Sequence, residues 1–447
     1  MGIDAPPLID LRDFDLERRT AGDDLRILSG VNLRLEAGQW IALLGANGSG
    51  KSSLLKYLAA EDSPAGEGTA YMAQDPDEQL VAQTVAGEIA LGRAGLDPGA
   101  ELARFQLEDQ AALDPRLLSA GQKQRLVLAT ALGCAPRILL CDEPTALQDS
   151  HQAGWILEQL DAWRREPGRG LLTATCDRYE AQRADWLVVL RGGAVVVQGP
   201  REAVWNEGAV QELLLDRDQE NRREDGRLRP ATEGESVLIL EDVGCDFAGP
   251  GGGFAGLDLQ VGRGGRVGLT GPNGCGKSTL LAVCAGLRPP QRGSVRVDGR
   301  RFYHDGGADL DHGLTMLAPQ FPEYMFLCPR VSDEISFGPP ASPAPPEAFL
   351  GRLGLDPTLR HRNPHDLSTG ERRRLAVGLV LGSARPLLLL DEPTAALDRR
   401  GRAQILDLLD EAPTDSSLVI ASHDRGFLAA AGCRILEMGL AGLAEGC

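Results

Sequence analysis

Two stretches of this 447-residue chain carry residue types that can hold a polyphosphate. Gly271-Pro272-Asn273-Gly274-Cys275-Gly276-Lys277-Ser278-Thr279 fits the pattern Gly-x-x-x-x-Gly-Lys-Ser/Thr, and Gly45-Ala46-Asn47-Gly48-Ser49-Gly50-Lys51-Ser52-Ser53 fits it again. Glycines at these places let the backbone curl until successive N–H groups face phosphate oxygens. The lysine supplies a compact positive charge for the β- and γ-phosphates, and Ser278 or Ser52 offers a hydroxyl to Mg²⁺. Such a loop works only between a strand and a helix N-terminus. Apolar runs precede both loops, Trp40–Leu44 and Arg266–Thr270, and Leu280-Leu281-Ala282-Val283 opens a helix after the second. The two lysines stand 226 positions apart (51 to 277), which predicts a duplicated nucleotide-binding domain.

The elements around the loops repeat in the same order. Residues 8–35 alternate apolar and polar side chains, as two or three antiparallel strands would. Gly68–Gln74 reads as a strand ending at a polar residue, and residues 80–113 carry a helical period broken by Gly and Pro, a small helical subdomain. Leu118-Ser119-Ala120-Gly121-Gln122 then opens an amphipathic helix, and Ile138–Asp142 is a buried strand ending in Asp142-Glu143. In the second half Gln320 matches Gln74, Leu367-Ser368-Thr369-Gly370-Glu371 matches the 118–122 stretch, and Leu387–Thr394 matches Ile138–Thr145. The serine-to-aspartate spacing is 23 in both (119 to 142, 368 to 391). The fold is therefore expected to be α/β, with a first domain at 1–215, a linker at 216–234 and a second domain at 235–447. The charged, weakly apolar linker has an expected reach of about 25 Å.

Bulk composition narrows the function. A net charge of −18 and the lack of any Lys/Arg-rich run argue against a nucleic-acid binder, which needs basic surface to neutralise phosphates. Only four lysines occur beside 42 arginines, yet two of the four sit in the phosphate loops, where a guanidinium is no substitute for an ammonium. Nine cysteines without Cys-x-x-Cys spacing read as free thiols of a reducing compartment. The N-terminus lacks the pattern of a secretion signal, and no apolar stretch reaches the ~20 residues that span a bilayer. Membrane work would need a separate membrane partner.

In their order, the phosphate loop, glutamine loop, Leu-Ser-x-Gly-Gln/Glu stretch and Asp-Glu-Pro-Thr strand end resemble ATP-binding-cassette ATPase domains, twice over. The resemblance implies two P-loop NTPase (RecA-like) domains, each with a helical and an antiparallel β subdomain, that bind ATP and Mg²⁺. The segments Val85–Gly92 and Val331–Gly338 resemble the energy-coupling-factor importers, in which paired ATPases drive a membrane scaffold and a substrate-binding membrane subunit. By this resemblance the cassettes pair head-to-tail within the chain, each ATP lying between one phosphate loop and the other cassette's signature. One site would join Lys277, Asp391, Glu392 and His423 to Ser119, Gly121 and Gln122. The other would join Lys51, Asp142 and Glu143 to Ser368, Gly370 and Glu371. Gly45, Asn47, Gly48, Ser49, Gly50, Ser53, Gly271, Asn273, Gly274, Cys275, Gly276 and Thr279 would complete the phosphate cradles. Ser52, Gln74, Asp142, Ser278, Gln320 and Asp391 are the expected Mg²⁺ shell, and Phe247 falls where an aromatic ring stacks on adenine.

The chemistry of these residues is consistent with such roles. A carboxylate at Glu392 can polarise an attacking water, and His423 can contact the γ-phosphate and position that water. The halves differ, however. Cys176 stands where the second half has His423, Arg18 takes the aromatic's place, and the lysine-to-glutamine spacing is 23 (51 to 74) against 43 (277 to 320), about a strand pair shorter. The expectation is one hydrolytic site and one that mostly binds. The competing class, soluble tandem cassettes acting on ribosomes or nucleic acid, typically has a long charged helical linker, an added metal module or a basic surface. The cargo is not legible; the resemblance points to a vitamin, a vitamin precursor or a transition-metal ion.

Overall fold

The apolar runs before the phosphate loops become central strands of two parallel sheets, buried on both faces, as unbroken runs of aliphatic residues require. The computed structural model describes residues 6–19, 24–60, 62–66, 68–91, 97–146, 148–214, 235–246, 253–304, 307–308, 313–337, 345–395, 397–439 and 442–445. The expected linker at 216–234, Phe247 and the Arg18 side chain lie outside the described residues. The chain divides into two compact units, Met1–Asp216 and Arg217–Cys447.

The first unit begins with an antiparallel pair, β1 (Ile9–Arg19) and β2 (Asp24–Leu35), followed by β3 (Trp40–Leu44) and α1 (Lys51–Leu58). Then come β4 (Thr69–Met72), the short helices α2 (Val85–Ala90) and α3 (Pro98–Arg104), and the long α4 (Ala120–Gly133). β5 (Ile138–Asp142), α5 (Ser150–Arg164), β6 (Gly170–Ala174), α6 (Arg178–Ala181), β7 (Trp186–Arg191), β8 (Ala194–Pro200), α7 (Arg201–Val204) and α8 (Gly208–Gln211) complete it. Its main sheet has the order β4-β5-β6-β3-β7-β8, parallel except for the β7–β8 hairpin. β3 lies between β6 and β7, so the chain leaves its C-terminal end where the strand order reverses, the usual place for a ligand crevice in such sheets.

The second unit repeats this design with β9 (Ser236–Asp246), β10 (Gly253–Gly262), β11 (Arg266–Thr270) and α9 (Lys277–Cys284). An insertion follows: β12 (Arg292–Val297), β13 (Arg300–Arg301), β14 (Tyr303–His304) and β15 (Gly307–Ala308). After it come β16 (Thr315–Ala318), α10 (Val331–Phe337), α11 (Pro346–Arg352), α12 (Thr369–Gly382), β17 (Leu387–Asp391), α13 (Arg399–Asp410), β18 (Ser417–Ala421), α14 (Arg425–Ala430), β19 (Arg434–Gly439) and β20 (Gly442–Glu445). The main sheet order, β16-β17-β18-β11-β19-β20, matches the first unit strand for strand.

The difference in spacing has a structural cause. β9 pairs on both sides, giving the order β10-β9-β12-β13, whereas β1 and β2 form a two-stranded sheet alone. Among the described residues no strand lies between α1 and β4. The antiparallel subdomain expected in each half is therefore full in the second and reduced to a hairpin in the first. That hairpin still buries Ile9, Leu11, Leu28, Val31, Leu33 and Leu35 against the main sheet. Burial of each large aliphatic side chain contributes about 1.5–3 kcal/mol, which keeps the short sheet in place. The eight described cysteines are free thiols.

Candidate nucleotide-binding sites

Both phosphate loops run from a central strand into a helix N-terminus, β3 into α1 and β11 into α9. Gly50 (φ 100°) and Gly276 (φ 107°) precede these helices in left-handed conformation, which a side chain would strain. A Cβ on Gly271 would come within 2.4 Å of the Met438 carbonyl, and one on Gly45 within 2.6 Å of that of Leu190. The loop thus lies flat on the neighbouring strand. Lys51 Nζ donates to the carbonyls of Gly45 (2.6 Å) and Ala46 (3.3 Å); Lys277 Nζ donates to those of Gly271 (2.7 Å) and Pro272 (3.1 Å). Each ammonium is held over its own loop, where it can meet an anion. Among the described residues the buried Ser49 Oγ has no hydrogen-bond partner, and Cys275 Sγ, also buried, lies 4.0 Å from Lys277 Nζ.

β5 and β17 deliver the paired carboxylates beside these loops. Asp142 is hydrogen-bonded to Ser52, and Asp391 to Ser278, within their own units. Burial raises both aspartates above the ordinary carboxylate range, Asp391 to about 7. Among the described residues the buried Asp391 Oδ1 has no hydrogen-bond partner, a place that a cation or its bound water would fill. Asp142 is better provided for, because Tyr71 Oη donates to its Oδ2 at 3.4 Å. Gln74 and Gln320 each follow by two residues the end of the strand that pairs with β5 or β17.

The neighbouring glutamates sit in strained backbone, Glu143 at φ 53° and Glu392 at φ 46°. Non-glycine residues rarely adopt this conformation, and it concentrates at functional sites. Glu392 is held on three sides. His423 N donates to Oε1 at 3.1 Å, His423 Nδ1 lies 3.1 Å from Oε2, and Ser422 Oγ donates to Oε2 at 3.2 Å. Burial pushes this carboxyl up, but the imidazole's charge and hydrogen bond outweigh it and leave it below its ordinary value. In the first unit the corresponding loop after β6 carries Thr175 and Cys176, both buried, and no imidazole.

The signature stretches are helix starts. Ser119 caps α4 and Ser368 caps α12, each in a reciprocal capping box, closed by Gln122 in the first and Glu371 in the second. Gly121 and Gly370 lie in the first turns, where free N–H groups and the helix dipole favour an anion. Ser422, Tyr71 and the arginine of α12 that contacts the glutamine loop, Arg373, have no motif in the sequence. Their partners stand 30, 71 and 53 residues away.

Comparison with known proteins fits this architecture. The ABC transporter family profile matches residues 28–146 and 254–395, so the chain belongs to that family. An uncharacterized ABC transporter ATP-binding protein of Mycobacterium tuberculosis is 31% identical over 90% of this chain, which spans 58% of that relative's length. A Bacillus subtilis protein provisionally named an HMP/thiamine import ATP-binding protein is 26% identical, with 94% of this chain and 88% of that one covered. A solved structure described as RNase-L inhibitor aligns with a TM-score of 0.60 at 19% identity, over 94% of this chain and 88% of that one. That likeness is one of fold alone. Tandem P-loop ATPase domains of the ABC type are the class to which fold and family assign the chain.

Proposed function

We propose that the chain binds ATP in both halves and hydrolyses it chiefly in the second, as the energy-supplying subunit of an importer of the energy-coupling-factor type. The observation that carries the hydrolytic assignment is the strained Glu392, fixed by His423 and Ser422 beside the unpartnered Asp391 Oδ1. In this reading Lys277 and the loop N–H groups bind the phosphates. Ser278, Asp391 and Gln320 would hold Mg²⁺, which when bound offsets phosphate charge. Glu392 orients the attacking water and takes its proton, and His423 keeps that carboxylate ionised and aimed. The phosphate loop of the first half, with Lys51, Asp142 and Glu143 in its own unit, lacks an imidazole and mostly retains nucleotide.

The importer assignment draws on surfaces the repeat preserves. Val81 and Leu327 are both 73% exposed, and each donates its backbone N–H to a buried glutamate, Glu88 or Glu334. Leu91 and Phe337, at matching places after α2 and at the end of α10, are 55% and 66% exposed. Apolar side chains left in water just past both glutamine loops fit a membrane partner's helices. The Bacillus subtilis relative's name and the sequence resemblance point to a vitamin, vitamin precursor or metal ion as cargo. No helix among the described residues is long and apolar enough to cross a bilayer, so the membrane part would come from other subunits.

Two measurements test these assignments. Mg²⁺-dependent ATP hydrolysis by the purified chain should be lost in Glu392→Gln; a fully active variant overturns the catalytic assignment. A photo-crosslinker at Leu327 or Phe337 should capture integral membrane proteins in cells. Capture of ribosomal proteins, with co-sedimentation on ribosomes, would overturn the importer reading in favour of a soluble tandem cassette.

A further inference from the structure

We propose that Arg373 is a positioning residue that couples the glutamine loop of the second half to the loop bearing Glu392, a clamp that Gln124 at the matching place in the first half does not make. The inference rests on the reading that Glu392 acts on bound ATP. Arg373 lies in the second turn of α12, buried, five residues past the Ser368 cap. One guanidinium nitrogen donates to the Glu392 carbonyl and the other, at 3.1 Å, to the Gln320 carbonyl. A planar guanidinium has its two arms fixed relative to each other. It therefore locks three pieces of backbone together: the signature helix, the glutamine loop and the carboxylate loop. Burial lowers its pKa only to about 10, so it stays charged at neutral pH, with Glu323, Glu392 and Asp391 as nearby counter-charges.

The first half has a different arrangement at the matching place. Gln124, also buried, donates to the Glu143 carbonyl at 3.2 Å, but its Oε1 accepts from Gln148 Nε2 at 2.7 Å. Gln148 in turn reaches the Gly121 carbonyl at 3.4 Å, so this amide pair ties the carboxylate loop back onto α4. Leu397, also buried, fills the position matching Gln148 and has no amide to offer. A side-chain ion pair between signature helix and glutamine loop is present in both halves, Lys123–Asp77 at 2.7 Å and Arg372–Glu323 at 3.9 Å. What distinguishes the second half is the backbone clamp. Because it pulls on the carbonyl of a residue at φ 46°, a shift of the glutamine loop acts directly on the strained torsions that aim Glu392.

Hydrogen exchange of the full chain, with and without Mg²⁺ and the non-hydrolysable analogue AMP-PNP, tests this. In the wild type the analogue should slow exchange in both phosphate loops and in residues 318–327, but far less in 72–81. Arg373→Gln should lose about tenfold of the slowing at 318–327, the factor one buried charge-assisted hydrogen bond contributes to a local opening equilibrium, and keep it at 271–284. The reverse transplant, Gln124→Arg with Gln148→Leu, should confer slowing on 72–81. Unchanged slowing at 318–327 in Arg373→Gln overturns the clamp. Should that variant lose protection throughout, the transplant decides, and no gain at 72–81 overturns it. An absence of slowing in either phosphate loop of the wild type would instead refute the nucleotide reading on which this one rests.

Discussion

The two halves share one chain path and differ where chemistry would be done. In the second, a carboxylate is pinned by an imidazole and a hydroxyl, and the neighbouring aspartate has an unpartnered buried oxygen. In the first, the matching aspartate is partnered by Tyr71 and the imidazole's place is taken by Cys176. The phosphate loops, by contrast, agree down to the lysine's two carbonyl contacts. Duplication with this pattern of divergence separates two demands. Binding a polyphosphate needs backbone curvature and one ammonium, which both halves keep. Activating water needs an oriented, ionised base, and in the second half an imidazole and a hydroxyl are in place to hold one.

The sharpest way to break this comparison is to remove the two glutamates separately. Glu392→Gln is expected to cut ATP turnover by about 10²–10⁴-fold, the usual range for a general base, and Glu143→Gln by less than about tenfold. Steady-state phosphate release decides it, and equal losses would mean the two sites work alike. Next in size is the imidazole. His423→Ala should lower turnover by about 10–100-fold, since the carboxylate loses both the imidazole that lowers its pKa and a hydrogen bond. Cys176→His should raise turnover by supplying the first half with the missing group. If His423→Ala hydrolyses ATP normally, the roles of the halves are reversed.

Much of this was legible in the sequence because it rests on short motifs and their spacing. The repeat, the strand before each loop, the capping serines and the shortened β subdomain all follow from local patterns; a difference of 23 against 43 residues (51 to 74, 277 to 320) marked the absent strands. Residues 80–113 were harder. Their broken period conceals two helices of six and seven residues held by caps at Thr84 and Asp97, not by a long apolar stripe. The partners of Glu392, Asp142 and Arg373 were invisible for another reason. Each lies on a strand end or loop made adjacent only by the sheet order β16-β17-β18-β11 or its counterpart, a long-range property with no local periodicity.

Smaller effects follow from the buried carboxyls. Asp391 holds its proton to about pH 7 in the native chain, while its unfolded counterpart ionises from 3.8. The native state therefore pays a penalty that grows between those pH values and is complete above them. In EDTA at pH 8, Asp391→Asn should melt about 5 °C above the wild type, and at pH 4 no higher. Adding Mg²⁺ and AMP-PNP should then stabilise the wild type more than the variant; a variant that gains equally would remove Asp391 from the metal's shell.

The smallest expected effect concerns Glu180, which has no counterpart in the second half because Phe427 occupies the matching place four residues past His423. Glu180 is fully buried, and Thr145 Oγ1 lies 3.1 Å from its Oε2. Burial, with Asp177 and Glu143 nearby, raises its pKa well above 4.5. Burial thus favours the protonated acid, whose contact with Thr145 links the loop after β6 to the loop bearing Glu143, and an amide can do the same. Glu180→Gln should melt within about 1 °C of the wild type at pH 4, where most of the unfolded glutamate still holds its proton. As pH rises above 4.5 the wild type loses stability, because its unfolded state sheds the proton more readily than its native state; the variant does not. The gap should therefore open in the variant's favour with increasing pH. A variant that is less stable at every pH would mean that Glu180 is ionised and paired in the native chain, and that the first half contains a charge cluster where a neutral strut is inferred.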